Sequence, residues 1–308
     1  LRERPPATGP RWLLEPFVEL GGPTILFADG GTGKSMFGLA IALSVASGTA
    51  IVGRLHAPAQ PVLYADWETD SATVNERARA ICAGARIPMP PLFYVRQVAS
   101  LAESASELRR KVADAHAGLV VVDSLGMARG GEPESADVTI KLFNAARSLG
   151  VPWLGIDHVT KSAGNDASRP FGSTFTHNGA RLTWGADKAQ TEGEDQIVVA
   201  LRNWKRNNGR TLPRMGYRIE FESDQAEALT TVHFARTDLA DVPGLAEKLP
   251  LRQRILAELR EGPMTPSVLA EELGQGIRAV SARAGEMVKG GELVRLEDRR
   301  VALKARAS

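Results

Sequence analysis

Thr24 to Ala42 reads TILFADGGTGKSMFGLAIA. An apolar run, Ile25, Leu26 and Phe27, gives way to Gly30, Gly31 and Gly33, then Lys34 and Ser35. Met36, Phe37, Leu39, Ala40 and Leu43 follow at helical spacing. Strand, glycine loop and helix, in that order, are what a phosphate-binding loop requires. Glycines let backbone N–H groups curl around phosphate oxygens. The helix that follows turns its free N–H groups and positive dipole end to the same anion. The candidate cradle is Asp29, Gly30, Gly31, Thr32, Gly33, Lys34, Ser35 and Met36. Lys34 is placed to reach the β- and γ-phosphates of ATP, and Ser35 to put its hydroxyl on Mg²⁺. One position departs from the G-x-x-x-x-G-K-[ST] pattern: Ala28 stands where its first glycine belongs. A glycine-rich turn of a dehydrogenase-like fold is the competing reading. The Lys34-Ser35 pair and the flanking periods argue against it.

Length and composition bound the rest. A chain of 308 residues predicts one large domain and a small one. Its formal charge of +2 excludes a strongly basic protein. The charge is segregated, though. Residues 248–308 hold 12 Lys and Arg against 8 Asp and Glu, a balance of +4 that leaves −2 elsewhere. The tail is therefore the part suited to an anionic partner. Cys82 is the only cysteine, so no intrachain disulfide forms, and a cytoplasmic location is the natural expectation. No stretch has the length and apolarity of a signal peptide or a membrane span.

From the phosphate loop onward, strands and helices alternate. The spacing predicts a helix over 34–47, a strand ending in Tyr64-Ala-Asp-Trp, and a helix over 71–84. A short strand over 92–95 and a helix over 101–117 come next. Leu119-Val-Val-Val-Asp123 is an unbroken apolar run ending in an acid, as a strand buried on both faces should look. A helix over 137–149 and a strand over 151–159 complete the series. The expected fold is α/β: a mostly parallel sheet with helices on both faces. Runs at 196–202, 217–222 and 231–235 predict an antiparallel edge. Residues 1–20 read as an arm whose apolar end, Trp12 to Leu20, docks on the core. The large domain then covers 21–240 and a linker 241–250. In the tail, helices at 251–260, 266–273 and 276–289 followed by a hairpin outline a winged-helix domain over 251–308.

Two acids stand out. Asp123 ends an apolar strand and suits the Mg²⁺ shell beside Ser35. Glu68 follows the strand after the phosphate-loop helix, at the edge where parallel strands converge on a ligand. A carboxylate there can orient and deprotonate an attacking water. Asp66 and Asp70 are its neighbouring alternatives, and Asp70 is the better helix N-terminal acid.

ADGGTGKS, YADWE, VVVDS and GIDHVTKS, in that order, resemble the successive motifs of RecA-like P-loop ATPases. Within them the chain is similar to the RepA-like hexameric replicative helicases of plasmids and phages, over about residues 20–240. The resemblance implies that Glu68 is the catalytic glutamate and that His158 senses the γ-phosphate. It implies DNA-contacting loops at 125–137 and 161–179, the second carrying Lys161, Arg169 and Phe171, groups that pair phosphates and stack on bases. It also implies a basic finger reaching the neighbouring subunit's γ-phosphate. The family pattern Lys-x-Arg-Asn-Gly is displaced here to Lys205-Arg206-Asn207-Asn208-Gly209, which leaves the role open between Lys205 and Arg206.

In the tail helix, Ile277, Val280, Ala284, Met287 and Val288 form the expected buried stripe. Arg278 and Arg283 then face outward, as candidate contacts to a DNA groove or phosphates. The implied partners are single-stranded DNA, copies of the chain in a hexameric ring, and a primase or replication initiator, with no membrane. A filament-forming recombinase or recombination mediator, and a nucleotide-gated DNA-binding regulator, are the rival outputs.

Overall fold

Alternating side chains on the core strands feed two separate cores, and that places helices on both faces of one sheet. The computed structural model describes residues 12–159, 174–190 and 193–304. Its contacts divide the chain into two units, residues 1–237 and 238–308.

The first unit opens with β1 (Trp12–Glu15), β2 (Val18–Glu19) and β3 (Thr24–Ala28), then α1 (Lys34–Ser47) and β4 (Arg54–Leu55). Next come β5 (Val62–Asp66), α2 (Ser71–Ala85), β6 (Leu92–Arg96), α3 (Leu101–Asp114) and β7 (Leu119–Asp123). They are followed by α4 (Leu125–Ala128), α5 (Ala136–Ser148), β8 (Trp153–His158) and α6 (Thr174–Gly179). The unit ends with β9 (Leu182–Ala189), β10 (Gln196–Arg206), β11 (Met215–Ser223) and β12 (Leu229–Thr237). The main sheet runs β12-β11-β10-β9-β3-β8-β7-β5-β6. From β9 to β6 the neighbours are parallel, and β10 to β12 form an antiparallel extension. This is the RecA-like P-loop arrangement, with every parallel strand delivering its carboxyl end to one edge.

Leu26, Tyr64, Val121 and Leu154 point to the face covered by α1 and α2. Ile25, Phe27, Leu63, Val120 and Val122 point to the face covered by α3 and α5. Helix α1 is apolar nearly all round because it is enclosed on several sides. Phe37 meets Tyr217 of β11 edge-on at 5.1 Å and Phe234 of β12 at 6.0 Å. The antiparallel strands thus close over the helix that begins the phosphate loop's far side.

The end of α2 touches β12 so closely that only glycine fits. A Cβ on Gly84 would lie 2.1 Å from the Val232 carbonyl oxygen. Backbone cannot swing aside as a side chain can. Gly84→Ala is therefore expected to destabilise the first unit by about 1–3 kcal/mol or more, read as a lower urea midpoint with an unchanged slope.

Trp12, Leu13, Leu14, Phe17 and Val18 are buried, and β1 pairs with β2 and β4. The described end of the expected arm is thus a small sheet built into the unit. Strand β9 carries no clear signal in the sequence because Gly185, Asp187 and Lys188 interrupt it. Gly185 is there for Trp204, whose indole nitrogen would sit 2.5 Å from an added Cβ.

The second unit comprises a 3₁₀ turn at Leu239–Asp241, α7 (Leu251–Glu258), α8 (Pro266–Glu272), α9 (Ile277–Lys289), β13 (Leu293–Arg295) and β14 (Val301–Leu303). Ile255, Leu259, Leu269, Val280, Ala284, Met287 and Val301 share its core. Thr265 caps α8 with Pro266 in its first turn. One expectation is corrected here. Ile277 is 52% exposed, because it begins α9 one turn beyond the last core contact at Val280. Within the stretch 241–250, Leu245 and Leu249 are buried. Among the described residues, no helix is long and apolar enough to cross a membrane.

Candidate active site

The phosphate loop lies between β3 and α1. Gly31 and Gly33 hold φ angles of 69° and 84°, which a side chain would strain. Gly33 is also crowded, with Ile197 Cδ1 2.9 Å from where a Cβ would stand. Thr32 Oγ1 donates to the Asp29 carbonyl at 2.7 Å and closes the turn. Helix α1 has no side-chain cap and no acid in its first turn. Its leading N–H groups are left for an anion. Lys34, largely buried, stands at that end.

Strand β7 brings Asp123 to the same edge. Tyr64 Oη donates to Asp123 Oδ2 at 2.6 Å. Asp123 Oδ1 is buried without a hydrogen-bond partner in the protein. Burial pushes the Asp123 carboxyl up to about 6, while the Tyr64 and Ser35 hydroxyls pull it down and Glu68 and Asp66 add to the rise. Burial, then the Asp123 charge, hold the Tyr64 phenol well above its ordinary range. A buried carboxylate oxygen with no partner, beside the Ser35 hydroxyl, is the donor set a hard divalent cation such as Mg²⁺ takes.

The turn after β5 carries Glu68, and Asp66 builds that turn. Asp66 Oδ1 accepts from the backbone N–H of Glu68 at 2.8 Å and of Thr69 at 3.1 Å. Its Oδ2 accepts from Thr69 Oγ1 at 2.5 Å and Tyr94 Oη at 3.1 Å. Asp70 caps α2, accepting from Thr73 N–H at 2.9 Å. Both alternatives to Glu68 are thus committed to structure. Glu68 remains 32% exposed at its side chain. Ser124 Oγ donates to Glu68 Oε1 at 2.5 Å, and His158 Nε2 meets the same oxygen at 3.1 Å. Ser124 follows β7 and His158 ends β8, so three neighbouring strand ends meet on one carboxylate.

Behind them lies a buried ion pair. Arg129 Nη2 bonds Asp157 Oδ2 at 2.6 Å, both side chains fully buried. Asp157 Oδ1 accepts the His158 backbone N–H at 2.9 Å. Burial pushes the Asp157 carboxyl up, against the pull of the Arg129 guanidinium.

The two finger candidates lie at the end of β10 and are engaged within the chain. Lys205 Nζ donates to the carbonyls of His177 and Asn178 at 2.9 Å each, at the end of α6. Burial, then Arg181, lower its pKa. Arg206 Nε stands 3.6 Å from the buried Glu19 carboxylate. Lys161, Arg169 and Phe171 lie outside the described residues. In the second unit, Arg278 and Arg283 are exposed on α9, and Arg283 pairs with Glu286 at 2.7 Å.

Tyr64, Ser124, Arg129, Asp157 and Lys188 were not singled out from the sequence. Tyr64 and Ser124 sit inside the quoted motifs, where their hydroxyls were available as a signal. Asp157 had one too: an acid within an apolar strand needs a partner. Arg129 had none. Lys188 Nζ stands 3.8 Å from where a Cβ on Gly31 would be, a second cation at the loop's rim.

The family model described as an AAA domain matches residues 2–164. Among solved structures, a KaiC-like protein from the hyperthermophilic archaeon Pyrococcus horikoshii OT3 is similar at 15% identity. That match covers 72% of this chain and 93% of the other, with a TM-score of 0.48. No curated protein matches the chain.

Proposed function

The chain belongs to the AAA domain family, a family of P-loop ATPases, and from that premise we propose that it is a RecA-like ATPase whose hydrolysis drives movement on single-stranded DNA. The observation that carries the ATPase reading is the meeting of Glu68, Ser124 and His158 beside a free helix N-terminus, Lys34 and the partnerless oxygen of Asp123.

The residues divide the work. Backbone N–H groups of the loop and Lys34 hold the phosphates. Ser35 and Asp123 would hold Mg²⁺, which supplies charge neutralisation on those phosphates when bound. Glu68 accepts a proton from water as its oxygen bonds the γ-phosphorus and the bond to the β-γ bridging oxygen breaks. ADP leaves with the electron pair, its charge offset by Lys34. Ser124 and His158 fix Oε1, which leaves Oε2 for the water.

The DNA output rests on connectivity and resemblance. Ser124 leads directly into 125–137 and His158 into 161–179, the two segments assigned to DNA contact. Release of the γ-phosphate frees Glu68, and with it the base of each segment. The working form is a homo-oligomeric ring, a hexamer, acting as a replicative helicase alongside a primase or initiator. In that ring Arg206 or Lys205 exchanges its internal partner for the neighbouring γ-phosphate. The second unit, three helices and a hairpin, serves as a winged helix, with Arg278 and Arg283 meeting phosphates.

The test is hydrolysis with and without single-stranded DNA, beside a mass measurement of the nucleotide-bound assembly. Stimulation by single strands of any sequence, in a closed ring, is expected. Tight binding to one duplex site without stimulation would make the chain a gated regulator instead, and filaments with strand exchange a recombinase.

A further inference from the structure

The buried pair Arg129–Asp157 has a place in the fold that stability does not explain. A fully buried ion pair contributes little net stability, and well-packed apolar residues in its place are often neutral or better. What the pair does is tie the segment after β7, which the sheet no longer holds, to the end of β8, where Asp157 and His158 still pair with Phe27 and Ala28 of β3. Backbone pairing of β7 with β8 ends at Asp123 opposite Ile156. Beyond that point Leu125 packs against Gly155, and the ion pair closes the gap. Arg129 is the C-cap of α4, the one-turn helix that starts right after Ser124. Asp157 immediately precedes His158 and holds its backbone N–H. Arg129 also reaches Thr176 Oγ1 on α6 at 3.4 Å.

From this placement we propose that Arg129 and Asp157 are positioning residues that set the spacing of Ser124 and His158, so that both engage Glu68 Oε1. The inference rests on the hydrolase reading above and adds to it the device that aims the glutamate. Ser124 and His158 approach one oxygen from two strands, at 2.5 and 3.1 Å. Small shifts of either segment break one of those contacts. A charged pair with both oxygens of Asp157 engaged fixes direction as well as distance, which apolar packing does not. Misplacing a catalytic group by about 1 Å costs on the order of 100-fold in rate.

The experiment compares the chain with its variants Arg129→Met/Asp157→Leu and Arg129→Lys. Thermal midpoint, affinity for MgATP, turnover and a crystal structure are read for each. The double variant is expected to melt at or above the wild-type midpoint and to bind MgATP within about 3-fold of wild type. Its turnover should fall about 100-fold. In its structure the Ser124 or His158 contact to Glu68 should be lost while the phosphate loop is unchanged. Arg129→Lys keeps the charge but not the planar fork, and should recover part of the turnover. Wild-type turnover in a folded double variant, with both contacts to Glu68 intact, would overturn the proposal. If the double variant does not fold, Arg129→Lys decides: full wild-type turnover with unchanged binding would overturn it. The crystallographic contacts answer the question even if the wild-type chain binds MgATP without hydrolysing it, an outcome that defeats the hydrolase reading alone.

Discussion

Glu68→Gln is expected to keep ATP bound and lose turnover by about 10²- to 10⁴-fold, the usual worth of a positioned proton acceptor. The substitution preserves shape. A glutamine oxygen can still accept from Ser124 Oγ and meet His158 Nε2, as Glu68 Oε1 does now. What it lacks is a basic oxygen for the proton of the attacking water. The nearby acids cannot take over. Asp66 is tied by Glu68 N–H, Thr69 and Tyr94, and Asp70 by the start of α2. Asp123 is buried and would be committed to holding Mg²⁺. Single-turnover hydrolysis and titration with a fluorescent ATP analogue separate the two effects. A variant that turns over normally removes Glu68 from the role.

Lys34→Ala is expected to act on binding first. Truncating one partner of a buried charge pair costs about 2–5 kcal/mol, or about 30- to several-thousand-fold in affinity. Lys34 stands at the free end of α1, with no acid in the first turn to be left unpaired by its loss. The nucleotide-free variant should therefore melt at or slightly above the wild-type midpoint. The wild type should gain stability on adding MgATP and the variant should not. Equal stabilisation of both by the nucleotide would place the ligand elsewhere.

These two residues were legible because their chemistry travels with local pattern. Gly31, Gly33 and Lys34 declare a loop by type and spacing. Val120 to Asp123 declares a buried strand by its unbroken apolarity. The parallel sheet followed from the alternation of such runs with helical periods. What stayed hidden is tertiary. Strand β9 gives no clear signal until Trp204 is seen to need Gly185. Lys205 and Arg206 look like a solvated basic finger, because the carbonyls of His177 and Asn178 and the Glu19 carboxylate come from distant elements. Arg129 lies among glycines, and only the fold brings it to Asp157. Ile277 fits the helical stripe by spacing alone, yet the core it would join ends at Val280.

The most direct measurement is a crystal structure of the chain with Mg²⁺ and a slowly hydrolysed ATP analogue. The metal should lie about 2.0–2.1 Å from Ser35 Oγ and next to Asp123 Oδ1, directly or through one bound water. The γ-phosphate should touch Lys34, with a water between it and Glu68. An analogue seated away from the loop between β3 and α1, or a Glu68 turned away from the γ-phosphate, would contradict the account.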